Sequence, residues 1–472
     1  MTQSSFFTSL RQALPGSAFP DLTPNYLQEP RGKWQGQAAI FAAPDRVQDV
    51  AAVVRLANTH GVPVVPYGGG TGLVGGQVKP DGMPPVVLSL HRMNRVRGIW
   101  PDENSISVDG GCILANVQAA AQDVHRLFPL SLASEGTAQI GGLLATNAGG
   151  VNVLRYGNAR DLVLGLECVL PDGGIWNGMT RLRKDNMGYD LRHLMIGSEG
   201  TLGVITGATL KLHPVPAHPG TALMVVNDPA CALTLLGHAQ ACLGDVISAF
   251  ELISGQGLKF LRQTMPGVRL PFTDDPEWMV LIDIGLDREG DPQALLETIY
   301  EIGLAQNLVG GGLIAQSQSQ AQEFWSVRES IPLANRAIGA LASHDVSLPL
   351  SHISDFITRA TDDLMQLGHI RVNCFGHLGD GNLHFNAFPE QGHTRDAMVS
   401  ANPDLITRIT QTIHDRVDDM GGSISAEHGV GRLKVDDLHR YGDPVKLAAM
   451  RAIKTALDPK GIMNPGAVLE DL

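Results

Sequence analysis

The stretch PYGGGTGLVGGQ, Pro66–Gln77, decides how this chain is read. Six glycines stand between Gly68 and Gly76, and Gly70, Gly72 and Gly75 have GxGxxG spacing directly behind the β-rich run Val62–Val65. That pattern marks a Rossmann turn only if it opens a helix whose N-terminal amides take a pyrophosphate. The next residues are QVKPDGMPP, in which Pro80, Gly82, Pro84 and Pro85 bar a helix. What remains is a bare glycine run whose backbone N–H groups can approach a phosphate with no Cβ in the way. Taken alone, a tight turn with no ligand explains the loop equally well.

Two further clusters shift that balance. EGTAQIGGLLATNAGG, Glu135–Gly150, sets Gly136, Gly141, Gly142, Gly149 and Gly150 among Thr137, Thr146 and Asn147, and IGSEGTLGVIT, Ile196–Thr206, adds Gly197, Gly200 and Gly203 before a β-branched run. Three such loops suit one long ligand, a dinucleotide with its pyrophosphate in the middle.

The rest of the chain frames these loops. Glycine makes up 54 of 472 residues, about 11 % against the usual ~7 %. With 43 % hydrophobic and 18 % charged residues the chain builds real cores, and its length predicts two to four domains. The net charge of −13 disfavours nucleic acid and anionic lipid as partners. No apolar run is long enough for a transmembrane segment, and MTQSSFFTSLRQ lacks a secretory signal pattern, so a cytoplasmic location is expected. Cys112, Cys168, Cys231, Cys242 and Cys374 are scattered without a CxxC pair, which predicts neither a disulfide framework nor a cysteine zinc ribbon.

Strand and helix alternate from Asp45 onward. The spacing of Val47, Val50, Ala51, Val54 and Leu56 predicts a helix, followed by strands at Val62–Val65, Val86–Leu90 and Val163–Leu170. HPVPAHPG, His213–Gly220, stacks three prolines and reads as a stiff connector resistant to helix or central strand. The expected class is α+β: residues 1–217 as a cofactor domain of two α+β subdomains, 218–422 as a cap of antiparallel sheet with flanking helices, and 423–472 as a helical segment returning to the first domain.

A second kind of motif lies in the C-terminal half. FGHLGDGNLHFN, Phe375–Asn386, puts His377 and His384 seven apart around a Gly-Asp-Gly turn, and a strand–turn–strand hairpin makes such a pair converge. SAEHGVG, Ser425–Gly431, supplies adjacent Glu427 and His428, whose side chains point opposite ways in an extended segment. Two histidines and a glutamate form a familiar catalytic zinc set, and a neutral histidine with an ordinary pKa near ~6.5 suits general-base work. Each histidine alone reads better as a hydrogen-bonded structural residue; four such residues in two glycine-flanked motifs do not.

In order and spacing the three glycine loops resemble the PCMH-type FAD domain of the vanillyl-alcohol oxidase flavoproteins. RYGNARDLVLGLECVLPDG, Arg155–Gly173, and LRKDNMGYDLRHLMIGSEGTLG, Leu182–Gly203, resemble the branch that oxidises D-2-hydroxyacids, and the KDN before GYDL is closer to D-2-hydroxyglutarate dehydrogenases than to glycolate oxidase subunits. The resemblance implies FAD held by Pro66, Tyr67, Gly68, Gly69, Gly70, Thr71, Gly72, Leu73, Gly75, Gly76, Gly136, Thr137, Ile140, Gly141, Gly142, Thr146, Asn147, Gly149, Gly150, Tyr156, Gly157, Glu199, Gly200, Gly203, Val204 and Asn464. Attachment is expected to be noncovalent, since no His or Cys matches a flavin-linking residue.

The same resemblance assigns His377, His384 and Glu427 to a divalent metal, zinc by its donor set, with His428 as base. It gives Arg328 in FWSVRESIP to the substrate carboxylate and brings Asn386 and Asn382 near the site. Pro332 replaces a usual Thr, and Ser343 in ASHDVSLP replaces a usual Lys, so the second carboxylate of a hydroxyglutarate loses a cation. Ser343 is kept as a substrate-side residue. The expected reaction is metal-assisted oxidation of D-2-hydroxyglutarate or a related D-2-hydroxyacid by hydride transfer to the flavin, with a flavoprotein or quinone as electron acceptor and a homodimer as the assembly. A D-lactate- or glycolate-type dehydrogenase is the alternative within the class. A non-redox FAD-binding transferase, or a hydrolase built on the His and Glu motifs, is the alternative outside it.

Overall fold

The computed structural model describes residues 3–287 and 289–470. Its contacts divide into two units, one of residues 1–150, 157–215 and 427–472 and the other of 151–156 and 216–426.

The first unit contains a parallel sheet of Ile40–Ala42, Val86–Ser89 and Val64–Tyr67, with Val86–Ser89 in the middle. The amphipathic helix Val47–His60 lays Val50, Val53 and Val54 on it, and Gly61 at φ 67° ends that helix in the left-handed region. A five-stranded antiparallel sheet follows, in the order Val96–Trp100, Ser105–Asp109, Val204–Lys211, Val163–Val169 and Ile175–Gly178. The C-terminal segment belongs here by pairing as well as packing. Val64 bridges Met463, and Ile462 and Met463 join the core around Leu88 and Val54.

The second unit is a seven-stranded antiparallel sheet. Its order is Val309–Ile314, His218–Val226, Trp278–Leu286, Ile247–Ser254, Arg371–His377, Asn382–Phe388 and Ala342–Ser347. Strand alternation sorts its residues by face. Phe250, Leu252, Cys374, Leu383, Phe385 and Val346 point into one large apolar core. The opposite face carries Ile253, Phe375 and Phe388, packed under helices Gly255–Thr264 and Gln318–Ile338. It also carries the polar side chains that matter below.

Two local readings are corrected. The strand His218–Val226 runs through Pro219, which the proline-rich connector was expected to prevent. Pairing with Val309–Ile314 begins only at Ala222, so Pro219 sits where one side of the strand is open and no ladder donor is missed. The second glycine cluster folds its centre into a short helix, Ile140–Ala145. Gly141 is required there, because a Cβ would stand 2.9 Å from the carbonyl oxygen of Ile205 and 3.0 Å from that of Gly110. No helix among the described residues is long and apolar enough to cross a membrane.

Candidate functional site

In the first unit the glycine loops line one cleft, a concave site of the kind that takes a cofactor. The segment after Tyr67 forms no helix, as its prolines dictate. Pro66–Gly72 and Gly76 supply one wall, Gly141, Gly142 and Thr146 a second, and Glu199, Gly200, Gly203 and Val204 a third. The closeness of these loops is backbone against backbone: a Cβ on Gly69 would fall 2.2 Å from the Thr137 carbonyl oxygen, and one on Gly68 would fall 3.3 Å from Gly142 Cα. Such a narrow, glycine-walled cleft fits a long dinucleotide, and FAD fits it. The walls also include Gln77 at the end of the first stretch, Ala138 and Gln139 within the second cluster, and Gly110 outside all three.

Other residues named from the sequence shape this cleft without standing on its wall. Asn464, at φ 43°, donates to the carbonyls of Gly76 and Glu199 at 2.9 and 2.8 Å and so ties two loops together. Asn147 accepts the Arg160 N–H at 2.9 Å. Gly75, at φ 74°, lies against Trp34, where a Cβ would meet the indole at 2.7 Å. Leu73, Gly136, Thr137, Ile140, Gly149, Gly150 and Gly157 are likewise off the wall. Tyr156 belongs to the second unit.

His428 is on the wall of the same cleft. Its flanks are pinned. Glu427 Oε1 accepts the Gly150 N–H at 2.7 Å, and the carboxylate of Glu199 accepts the Val430 and Gly431 N–H groups at 2.8 Å each. Glu199 is half-buried, and burial pushes its pKa up against the lowering pull of those two amides, Lys434 and Arg432. The short segment bearing His428 is therefore held at both ends.

In the second unit the hairpin predicted around Gly-Asp-Gly forms as Arg371–His377, a 3₁₀ turn over Leu378–Asp380 and Asn382–Phe388. Phe375 pairs with His384, and the rings of His377 and His384 come to 5.6 Å between centroids. Register places Asp345 opposite His384 and Ser343 opposite Asn386 on the neighbouring strand. Ser343 is exposed while His344 turns to the other face and packs edge-on against His414, so it does not replace the missing cation. Asn382 donates to Asp345 at 2.9 Å, and Asn386 donates to the His384 carbonyl at 3.3 Å.

Arg328 projects from helix Gln318–Ile338, only 5 % exposed, over the Phe375 ring at 4.9 Å. Pro332 in that helix offers no N–H to the Arg328 carbonyl four residues back. The residue that sequence reasoning missed is Glu251, fully buried in Ile247–Ser254. Its Oε2 accepts Arg328 Nε–H at 2.7 Å and its Oε1 accepts His377 Nδ1–H at 2.6 Å. Burial alone would raise its pKa, but His377 and Arg328 together hold it down to about 2, so it is a carboxylate. An acid inside the apolar run ISAFELIS was the available signal.

With its Nδ1–H given to Glu251, His377 presents Nε2 as its lone-pair atom, beside His384. That donor chemistry fits a divalent metal. Glu427 and His428 open the C-terminal part of the first unit.

Comparison with known proteins supplies the family. Residues 215–468 match the model for FAD linked oxidases, C-terminal domain, and residues 38–178 match the FAD binding domain. A D-2-hydroxyglutarate dehydrogenase from Xanthomonas citri pv. viticola is 35 % identical over 467 residues, covering 98 % of this chain and 96 % of that protein. The mitochondrial D-2-hydroxyglutarate dehydrogenases of Arabidopsis thaliana and Bos taurus are 34 % and 35 % identical, covering 93 % and 98 % of this chain and 76 % and 82 % of theirs. Among solved structures, p-cresol methylhydroxylase with substrate bound superposes with a TM-score of 0.77 at 17 % identity over 99 % of this chain and 97 % of that one, a likeness of fold alone.

Proposed function

Because this chain belongs to the FAD-linked oxidases, in the branch of the D-2-hydroxyglutarate dehydrogenases, we propose that its substrate is D-2-hydroxyglutarate or a close D-2-hydroxyacid and that a divalent metal assists the reaction. It is an FAD-dependent oxidoreductase that converts a D-2-hydroxyacid to the 2-oxoacid. The cytoplasmic location expected from the sequence is withdrawn, since relatives from Arabidopsis thaliana and Bos taurus are named as mitochondrial. The signal sought at the N-terminus was that of secretion, which does not bear on import into mitochondria.

His428 on the wall of the glycine-lined cleft is the observation that carries the mechanism. FAD, when bound, supplies the hydride acceptor. His428 takes the hydroxyl proton, since a neutral imidazole is the side chain suited to that work near pH 7. Arg328, already braced by Glu251, takes the substrate's C1 carboxylate, a role for which a guanidinium is made. His377, His384 and Glu427 would hold the metal, which when bound would supply Lewis-acid polarisation of the 2-hydroxyl. Ser343 and Asn386 face the far end of the substrate. Serine in place of a cation there leaves a distal carboxylate without that countercharge, which makes a less acidic D-2-hydroxyacid such as D-lactate the alternative substrate. The acceptor is a flavoprotein or quinone.

An anaerobic absorbance scan with D- and L-isomers of lactate, malate and 2-hydroxyglutarate tests the reading. Bleaching of the flavin band near ~450 nm by D-isomers alone is expected. A flavin spectrum that no 2-hydroxyacid bleaches would overturn it. His384→Ala is expected to lose metal and turnover together while keeping FAD. Full turnover of metal-stripped wild-type protein would remove the metal from the mechanism.

A further inference from the structure

We infer that Glu251 is a positioning residue that sets the tautomer of His377 and the aim of Arg328 with one carboxylate, so that metal binding and substrate-carboxylate binding depend on the same side chain. The metal half of this inference rests on the function proposed above; the geometry does not.

One oxygen of Glu251 is committed to each partner: Oε2 to Arg328 Nε at 2.7 Å and Oε1 to His377 Nδ1 at 2.6 Å. All three side chains are at least nine-tenths buried, with relative exposures of 0 % for Glu251, 5 % for Arg328 and 6 % for His377. In that setting a charge persists only when paired. Glu251 neutralises the guanidinium through Nε, so the Nη groups are not needed for that pairing. It also takes the Nδ1 proton, which fixes the imidazole as the tautomer with its lone pair on Nε2. A ligating histidine needs that form, and its affinity falls when the acceptor behind it is lost.

The chemistry of glutamine makes the test sharp. Glu251→Gln preserves shape but exchanges one acceptor oxygen for an NH₂ donor. Facing Arg328, that NH₂ meets another donor. Facing His377, it requires Nδ1 to accept, which moves the ring proton to Nε2. Either orientation breaks one of the two functions, and amide rotation between them weakens both.

The holoprotein, stripped of metal and retaining FAD, is titrated with Zn²⁺ against a chromophoric chelator, and the KM for the best D-2-hydroxyacid is measured separately. Glu251→Gln is expected to bind Zn²⁺ ~10–100-fold more weakly and to raise KM ~10-fold or more, the loss typical of a hydrogen bond to a charged group. Unchanged zinc affinity and unchanged KM at an unchanged flavin spectrum would overturn the inference. Wild-type protein that binds no Zn²⁺ would instead overturn the metal reading, and KM alone would then decide the Arg328 half. If Glu251→Gln does not fold, Glu251→Asp keeps the charge with one methylene less reach and is expected to recover only one of the two quantities. Wild-type values of both would overturn the inference, because the shortened carboxylate cannot keep both the Arg328 Nε and the His377 Nδ1 contacts.

Discussion

His428→Asn is expected to leave the flavin spectrum intact and to slow anaerobic flavin reduction by ~10²–10⁴-fold, the range for loss of a general base. Asparagine keeps a polar side chain of similar size on the cleft wall but has no titrating nitrogen. The backbone around it does not depend on the imidazole, because Glu427 is tied to Gly150, and Val430 and Gly431 are tied to Glu199. A change in the chemical step can therefore be separated from a change in the cleft. Stopped-flow reduction in a single turnover is the measurement, since product release and re-oxidation do not enter it. A rate equal to wild type would take proton abstraction away from His428.

The second large effect is one of stability. Lys454 and Asp458 form a buried pair at 2.6 Å, with side-chain exposures of 8 % and 0 %. Lys454 Nζ also donates to the carbonyls of Thr201 and Met463 at 2.8 Å each, joining the last helix to a cofactor loop and to the strand-like tail. Lys454→Met fills the same volume and strands the carboxylate. Asp458 retains the amides of Ile462 and Met463, but these do not replace a countercharge. A loss of ~3–5 kcal/mol is expected, read as a fall in the denaturant midpoint. Lys454→Met with Asp458→Asn should recover a substantial part of it, because both charges are then gone. A double variant no better than the single one would mean that the two carbonyl contacts and the packing, and not the charge, carry the effect.

The readable parts of this protein were those whose chemistry is local. Glycine loops show in sequence because only glycine lets Gly68, Gly69 and Gly141 approach other backbone so closely. The His377–His384 pair shows because a Gly-Asp-Gly turn dictates a hairpin. Glu251 did not show. Its partners lie 77 and 126 residues away, and nothing in ISAFELIS says which cation will arrive. The wall residues Leu90 and Gly110 did not show for the same reason: their place depends on how the chain packs and not on their type. The short helix Ile140–Ala145 was hidden by its own glycines, which lower helix propensity while permitting the close packing that stabilises it.

The interleaved chain path has a consequence for biosynthesis. Asn464 closes the loops of Gly76 and Glu199, and Met463 bridges Val64, so the cofactor-binding unit lacks its last clasp until the ribosome has released residues beyond 464. Residues 216–426, by contrast, form a contiguous stretch with a large apolar core of their own. A nascent chain thus waits with its glycine loops assembled only in part while a whole second unit emerges.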